Sequence, residues 1–85
     1  MTSTPPQITV FWRPGCPYCW RLRTALKRAG VDVEEINIWE DPAGAEFVRS
    51  VTGGDETVPT VRFGARSLVN PSPRDLLELL RESSG

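Results

Sequence analysis

Histidine is absent from this 85-residue sequence, and cysteine occurs only at Cys16 and Cys19. A tetrahedral zinc site draws four ligands, mostly from those two residue types. A structural zinc within one chain is thus left without its usual ligands, and only a site shared between two chains stays open. Long apolar runs are missing as well. The stretch Ile8–Trp12 is too short for a signal-peptide core or a membrane span. No targeting segment and no transmembrane segment are expected, and Met1–Gln7 reads as a loose, polar, proline-bearing lead-in. Net charge is −1, which points to neither nucleic acid nor membrane as a partner. Acids are lacking before Asp32, whereas Arg13, Arg21, Arg23, Lys27 and Arg28 all precede it. The segment bearing both cysteines is electropositive by local sequence. That charge either is a solvated helix face balanced elsewhere, or steers ligands and stabilises a thiolate, within the limits of salt screening.

What is present fits one domain over residues 1–85, small but able to bury a modest core. Ile8–Trp12 is β-branched and aromatic and reads as a buried strand. Pro14-Gly15 marks a turn. Cys16 to Ala29 reads as a helix, with Leu22, Ala25, Leu26 and Ala29 on one stripe and Gly30 as its C-cap. Val31–Trp39 reads as a second strand. Asp41-Pro42 starts a second helix, whose apolar face is Phe47, Val48 and Val51 and whose stop is Gly53-Gly54. Val61–Phe63 forms a strand, Gly64–Ser67 a turn, and Leu68-Val69 another short strand. Ser72-Pro73-Arg74-Asp75 resembles a capping box ahead of Leu76, Leu77, Leu79 and Leu80, and Ser83–Gly85 reads as frayed. The order is β-α-β-α-β-β-α, with a parallel, right-handed first unit and a final antiparallel hairpin.

Cys16 falls at the start of the first helix, where unpaired N–H groups and the macrodipole favour a thiolate. Cysteine pKa values fall from about 8.5 to roughly 3.5–7.5 in such settings. Pro17 suits the first turn, which has no use for its missing N–H. Cys19, three residues on, shares the helical face. That spacing places the two α-carbons about 5 Å apart, inside the disulfide window. Cys16 at the rim is the expected nucleophile and Cys19, one turn inward, the expected resolving thiol. A purely structural disulfide across one turn would close too short a loop to stabilise much, and a close pair without an export signal points to redox chemistry in a reducing cytoplasm.

Cys16-Pro17-Tyr18-Cys19 after a first strand, followed by Thr57-Val58-Pro59, resembles the glutaredoxins. Gly53–Val61 and Asn70-Pro71-Ser72 look more like one branch, the mycoredoxins of actinobacteria. The resemblance spans roughly Ile8 to Leu80. It implies a thioredoxin-like (glutaredoxin) α/β fold, a four-stranded mixed sheet flanked by three helices. It further implies a cis-proline at Pro59, with Thr57, Val58 and Pro59 binding the thiol substrate through the Val58 backbone. By the same resemblance, Cys16 attacks a protein–thiol mixed disulfide, and a second thiol molecule or Cys19 resolves the adduct, the latter giving a Cys16–Cys19 disulfide. No bound cofactor is implied. The partners would be a low-molecular-weight thiol, thiolated or disulfide-bearing proteins and, at one remove, a flavin- and NADPH-dependent reductase, acting on a monomer.

Many glutaredoxins carry a Gly-Gly-Cys-Asp type segment where this chain has Val69-Asn70-Pro71-Ser72. Without that acid, the neutral Asn70 and Ser72 suit mycothiol, a sugar thiol lacking glutathione's two carboxylates. Alternatively they are simply helix caps. Arg13 counts toward glutathione, since the family often keeps a cation there; it otherwise stabilises the thiolate or is a solvated loop charge. Tyr18 is expected as a partly exposed ring beside the site, Trp20 as docking surface or core, and Trp39 as strand-end packing. The resulting expectation is a mycothiol-dependent oxidoreductase that removes mycothiol from proteins. Its rivals are a donor recharged by glutathione or thioredoxin reductase, including a donor to ribonucleotide reductase, and an iron–sulfur scaffold, against which Pro17 argues.

Overall fold

Alternating apolar residues in Ile8–Trp12 (β1) bury both faces of a central strand. Val10 packs under the first helix, while Phe11 points to the opposite layer. The computed structural model describes residues 8–84; the lead-in Met1–Gln7 and Gly85 lie outside the described residues. The remaining elements are α1 (Pro17–Arg28), β2 (Glu34–Asn37), α2 (Pro42–Thr52), β3 (Thr60–Phe63), β4 (Arg66–Val69) and α3 (Pro73–Ser84). They form a mixed four-stranded sheet in the order β2-β1-β3-β4. β1 runs parallel to β2, with Val10 opposite Glu35, and antiparallel to β3, with Val10 opposite Val61. β3 and β4 form the expected antiparallel hairpin.

Two apolar layers hold the sheet. On one face Ile8, Val10, Val61 and Phe63 meet Leu22 and Leu26 of α1 and Leu76 of α3. On the other, Phe11, Ile38, Ala45 and Val48 close under α2. Ring stacking of Phe11 on Phe47, with centroids 4.8 Å apart, adds to the second layer. The thioredoxin-like glutaredoxin architecture follows from this order and register.

The boundaries of five elements differ from the sequence expectation, β3 among them, which begins at Thr60 rather than Val61. β2 is only Glu34–Asn37, not Val31–Trp39. Its parallel register pairs Glu34–Asn37 with Thr9–Trp12 of β1. Val31 and Val33 pack on the core from a loop instead. At the other end the Asn37 side chain accepts from the Trp39 N–H at 2.9 Å and turns the chain. Trp39 is consequently not strand-end packing; it stands 64% exposed. The hairpin turn is Gly64-Ala65 alone, with Gly64 at φ 60, and Arg66 and Ser67 already belong to β4. Ala29 is the cap residue of α1, and Gly30 follows it at φ 73. α3 continues to Ser84 rather than fraying at Ser83.

The predicted helix starts hold. The Asp41 side chain accepts from the Gly44 N–H at 3.0 Å, ahead of Pro42. Ser72 Oγ accepts from the Asp75 N–H at 3.1 Å, ahead of Pro73.

Candidate functional site

The central strand delivers Cys16 to its place. β1 ends at Trp12, and the loop through Gly15 (φ 75) swings the chain into α1. Cys16 is the N-cap residue in extended conformation, and Pro17 is the first helical residue. The Cys19 N–H donates to Cys16 Sγ at 3.2 Å. The sulfur therefore accepts one of the orphan donors of the leading turn, a task usually given to a Ser or Asp oxygen. From the other side the Cys16 thiol donates to the Val58 carbonyl at 3.8 Å.

Both cysteines are free thiols. Cys16 is 8% exposed and Cys19 1%, so the expected order, outer and inner, holds. The rim position expected for Cys16 is nonetheless a sheltered one, reached through a cleft. Burial first, and then the neighbouring Cys16, together push the Cys19 thiol up to about 12. A hydrogen bond from the Arg13 backbone, and the Arg13 charge, oppose that rise without cancelling it.

Two clefts flank the leading turn of α1. The first, about 420 Å³, is walled by Trp12, Arg13, Cys16, Cys19, Trp20 and Arg23. Its back wall is set by Arg23, whose guanidinium lies 4.0 Å from the centre of the Trp12 ring and 2.8 Å from Glu35. The second, about 200 Å³, is lined by Tyr18, Arg21, Asn70, Pro71, Ser72 and Pro73.

Most of the predicted site residues converge here. The Val58–Pro59 bond is cis, and Val58 faces Cys16. Pro59 is fully buried, and its carbonyl accepts from the Asn70 N–H at 2.7 Å, which ties the Pro59 segment to the Asn70 loop. Thr57 is the partial exception: its carbonyl is taken by the Thr60 hydroxyl at 2.7 Å, a contact internal to its own turn. Ser72 acts as a helix cap as well as lining the second cleft. Tyr18 is exposed beside the site. Arg13 bonds the Pro14 carbonyl at 3.3 Å and sits 5.9 Å over the Trp39 ring. Among the described residues no cluster of His, Cys, Asp or Glu is placed to hold a metal ion.

Sequence reasoning took Arg21 and Arg23 only as part of a basic segment, without assigning them to a cleft, and missed Trp39 beside Arg13. Helical spacing carried a signal for two of them. Cys16, Cys19, Trp20 and Arg23 fall at i, i+3, i+4 and i+7, one face of α1, and Tyr18 and Arg21 lie three apart on another. Trp39 carried no such signal, because it reaches the site across a chain turn that Asn37 makes.

The profile of the glutaredoxin family matches residues 8–68. A Mycobacterium tuberculosis protein provisionally named a glutaredoxin is 42% identical over 79 residues, covering 92% of this chain and 94% of that one. Mycoredoxin 1 of Corynebacterium glutamicum is 36% identical over 56 residues, covering 66% of this chain and 68% of its own. Among solved structures, the glutaredoxin-like NrdH-redoxin of Escherichia coli, described as having a thioredoxin-like activity profile, superposes with a TM-score of 0.69. It is 28% identical and covers 89% of this chain and 92% of that one.

Proposed function

Because the chain belongs to the glutaredoxin family, a family of thiol–disulfide oxidoreductases, we propose that it reduces mixed disulfides between mycothiol and proteins. The observation that carries this reading is the second cleft, where Asn70, Ser72 and Tyr18 offer neutral hydrogen-bonding groups. Such groups match the hydroxyls of a sugar thiol. Likeness to mycoredoxin 1 supports the same choice.

The chemistry needs no bound cofactor. Cys16, as thiolate, attacks the thiol-side sulfur of the mixed disulfide. The S–S bond breaks, the client cysteine leaves as a thiolate and takes up a proton, and a Cys16–thiol disulfide forms. A second thiol molecule, deprotonated, attacks that adduct, regenerates Cys16 and leaves as a symmetric disulfide. Each client released thus consumes one free thiol, and a flavin- and NADPH-dependent reductase would return the symmetric disulfide to two thiols. Cys19 offers the other exit: its thiolate displaces the bound thiol and closes a Cys16–Cys19 disulfide. With Cys19 pushed up to about 12, little of it is thiolate near neutral pH, which favours the external thiol. A pair meant to cycle between thiol and disulfide fits a reducing compartment, here the cytoplasm. No helix among the described residues is long and apolar enough to cross a membrane.

A glutathione-dependent cycle is favoured by one specific observation: Arg21 lines the same cleft and Arg13 stands beside Cys16, and either could meet a carboxylate. Turnover of one protein mixed disulfide with mycothiol and with glutathione, side by side, decides between them. Faster turnover with mycothiol is expected. Equal or faster turnover with glutathione overturns the mycothiol assignment, and rapid recharging by thioredoxin reductase with neither thiol assigns the chain to the reductase-fed donors.

A further inference from the structure

A mixed disulfide has two halves, a small thiol and a protein. Two clefts lie on either side of the turn that carries Cys16. Resting on the assignment of the small thiol to the Tyr18–Asn70–Ser72 cleft, we propose that the Trp12–Trp20 cleft is the docking surface for the client protein. It would seat an apolar residue next to a carboxylate, both close in sequence to the client's modified cysteine.

The chemistry of the surface supports that occupant. Trp20 is 68% exposed on the same face of α1 as both cysteines, and Trp39 stands out beside Arg13. Two large indoles left in water are costly unless a partner covers them, and indoles and arginines dominate the energetics of protein contacts. Pro14 and Pro17 add rigid apolar wall. The cleft is also fixed in advance, since Arg23 is clamped between the Trp12 ring and Glu35. A preset wall lowers the ordering cost of binding.

Charge then selects the partner. Arg23 has its carboxylate, whereas the Arg13 guanidinium bonds the Pro14 carbonyl and lies over the Trp39 ring, with no carboxylate paired to it among the described residues. Arg13 lines the same cleft as Cys16. An acidic side chain on the client would complete it, whereas a basic one would be repelled. Since the cleft holds Cys16 itself, a client docked there leaves its own sulfur within reach of the thiol half lying across the helix turn.

The test compares Trp20→Ala with the parent protein on three mixed disulfides that share whichever small thiol supports turnover. One carries mercaptoethanol in place of a client, one a Leu-Cys-Asp peptide and one a Leu-Cys-Lys peptide. Trp20→Ala is expected to lower kcat/KM on the Leu-Cys-Asp peptide about tenfold or more and to leave the mercaptoethanol disulfide within about twofold. The parent protein is expected to prefer the Asp peptide over the Lys peptide, and Arg13→Gln to erase that preference. Circular dichroism establishes that the variants are folded. Equal losses on the peptide and on mercaptoethanol would place the small thiol in this cleft and overturn the proposal. No loss on any substrate, or no preference for the acidic peptide, overturns it too. Failure of the mycothiol assignment reads out separately, as parent turnover with glutathione alone.

Discussion

The amide of Asn70 donates to the carbonyl of Pro59 at 2.7 Å. One short bond thereby joins the segment facing Cys16 to the loop that lines the Tyr18 cleft. Asn70 makes it from a left-handed backbone, φ 50, which asparagine tolerates and β-branched residues do not. Asn70→Val is expected to cost about 1–2 kcal/mol of stability and to raise KM for the small thiol. Asn70→Gly should hold stability to within a few tenths of a kcal/mol while still raising KM, because the side-chain amide is lost. Denaturant melts and thiol-dependence curves of the two variants check both halves of the statement.

Cys16→Ser removes the attacking sulfur, and turnover on every disulfide substrate should disappear. Cys19→Ser should keep reduction of mixed disulfides and lose two-electron reduction of protein disulfides, which needs the resolving thiol. Assays on both substrate types distinguish the routes. Loss of mixed-disulfide turnover in Cys19→Ser would contradict the single-cysteine cycle.

Acidity of Cys19 makes two pH statements. Resolution by Cys19, followed as release of thiol from the Cys16 adduct, should climb with pH and show no plateau below about 9, since burial keeps the thiol protonated. Stability runs the other way. The folded state holds its proton where the unfolded thiol has lost its own, so folding is unaffected below the ordinary thiol pKa and weakens as pH rises toward about 12. Melting temperature should therefore be flat near neutrality and fall in alkali, and Cys19→Ala should flatten that fall.

Gly44 makes a packing prediction. A Cβ placed there would come 2.7 Å from Ile36 Cγ2 and 3.5 Å from the Phe11 ring. Alanine normally gains a helix about 0.5–1 kcal/mol over glycine, but a methyl forced into a filled layer costs about 1–3 kcal/mol. Gly44→Ala should therefore lose about 1 kcal/mol net, a drop in Tm of about 4–8 °C for a domain of this size. A rise in Tm would mean that Ile36 can move aside.

How much of this was legible beforehand depended on whether the cause was local. Helix starts were readable because Asp41, Pro42, Ser72 and Pro73 act on their own next turn. β1 was readable because a strand buried on both faces favours β-branched and aromatic residues, and Ile8–Trp12 supplies them. The end of β2 at Asn37 was not, because it is set by where β1 stops at Trp12, a fact about another part of the chain. The same limit applied at the site. The Cys16–Cys19 relation lies within one helical turn and could be read from spacing. The meeting of Arg13 with Trp39, and of Asn70 with Pro59, depends on tertiary packing and left no periodic trace.

Cys16 is at once the reacting group and the cap of α1. As a thiolate its sulfur is a strong acceptor; once it enters a disulfide that charge is gone, and the Cys19 amide loses much of its partner. Amide exchange at Cys19 should therefore quicken in the adduct. Side-chain caps contribute about 0.5–2 kcal/mol, and by a closed thermodynamic cycle whatever this one contributes weighs against oxidation. The helix acts as a built-in reductive bias, and its strength can be tuned from positions along α1, such as the exposed Lys27, that never touch sulfur.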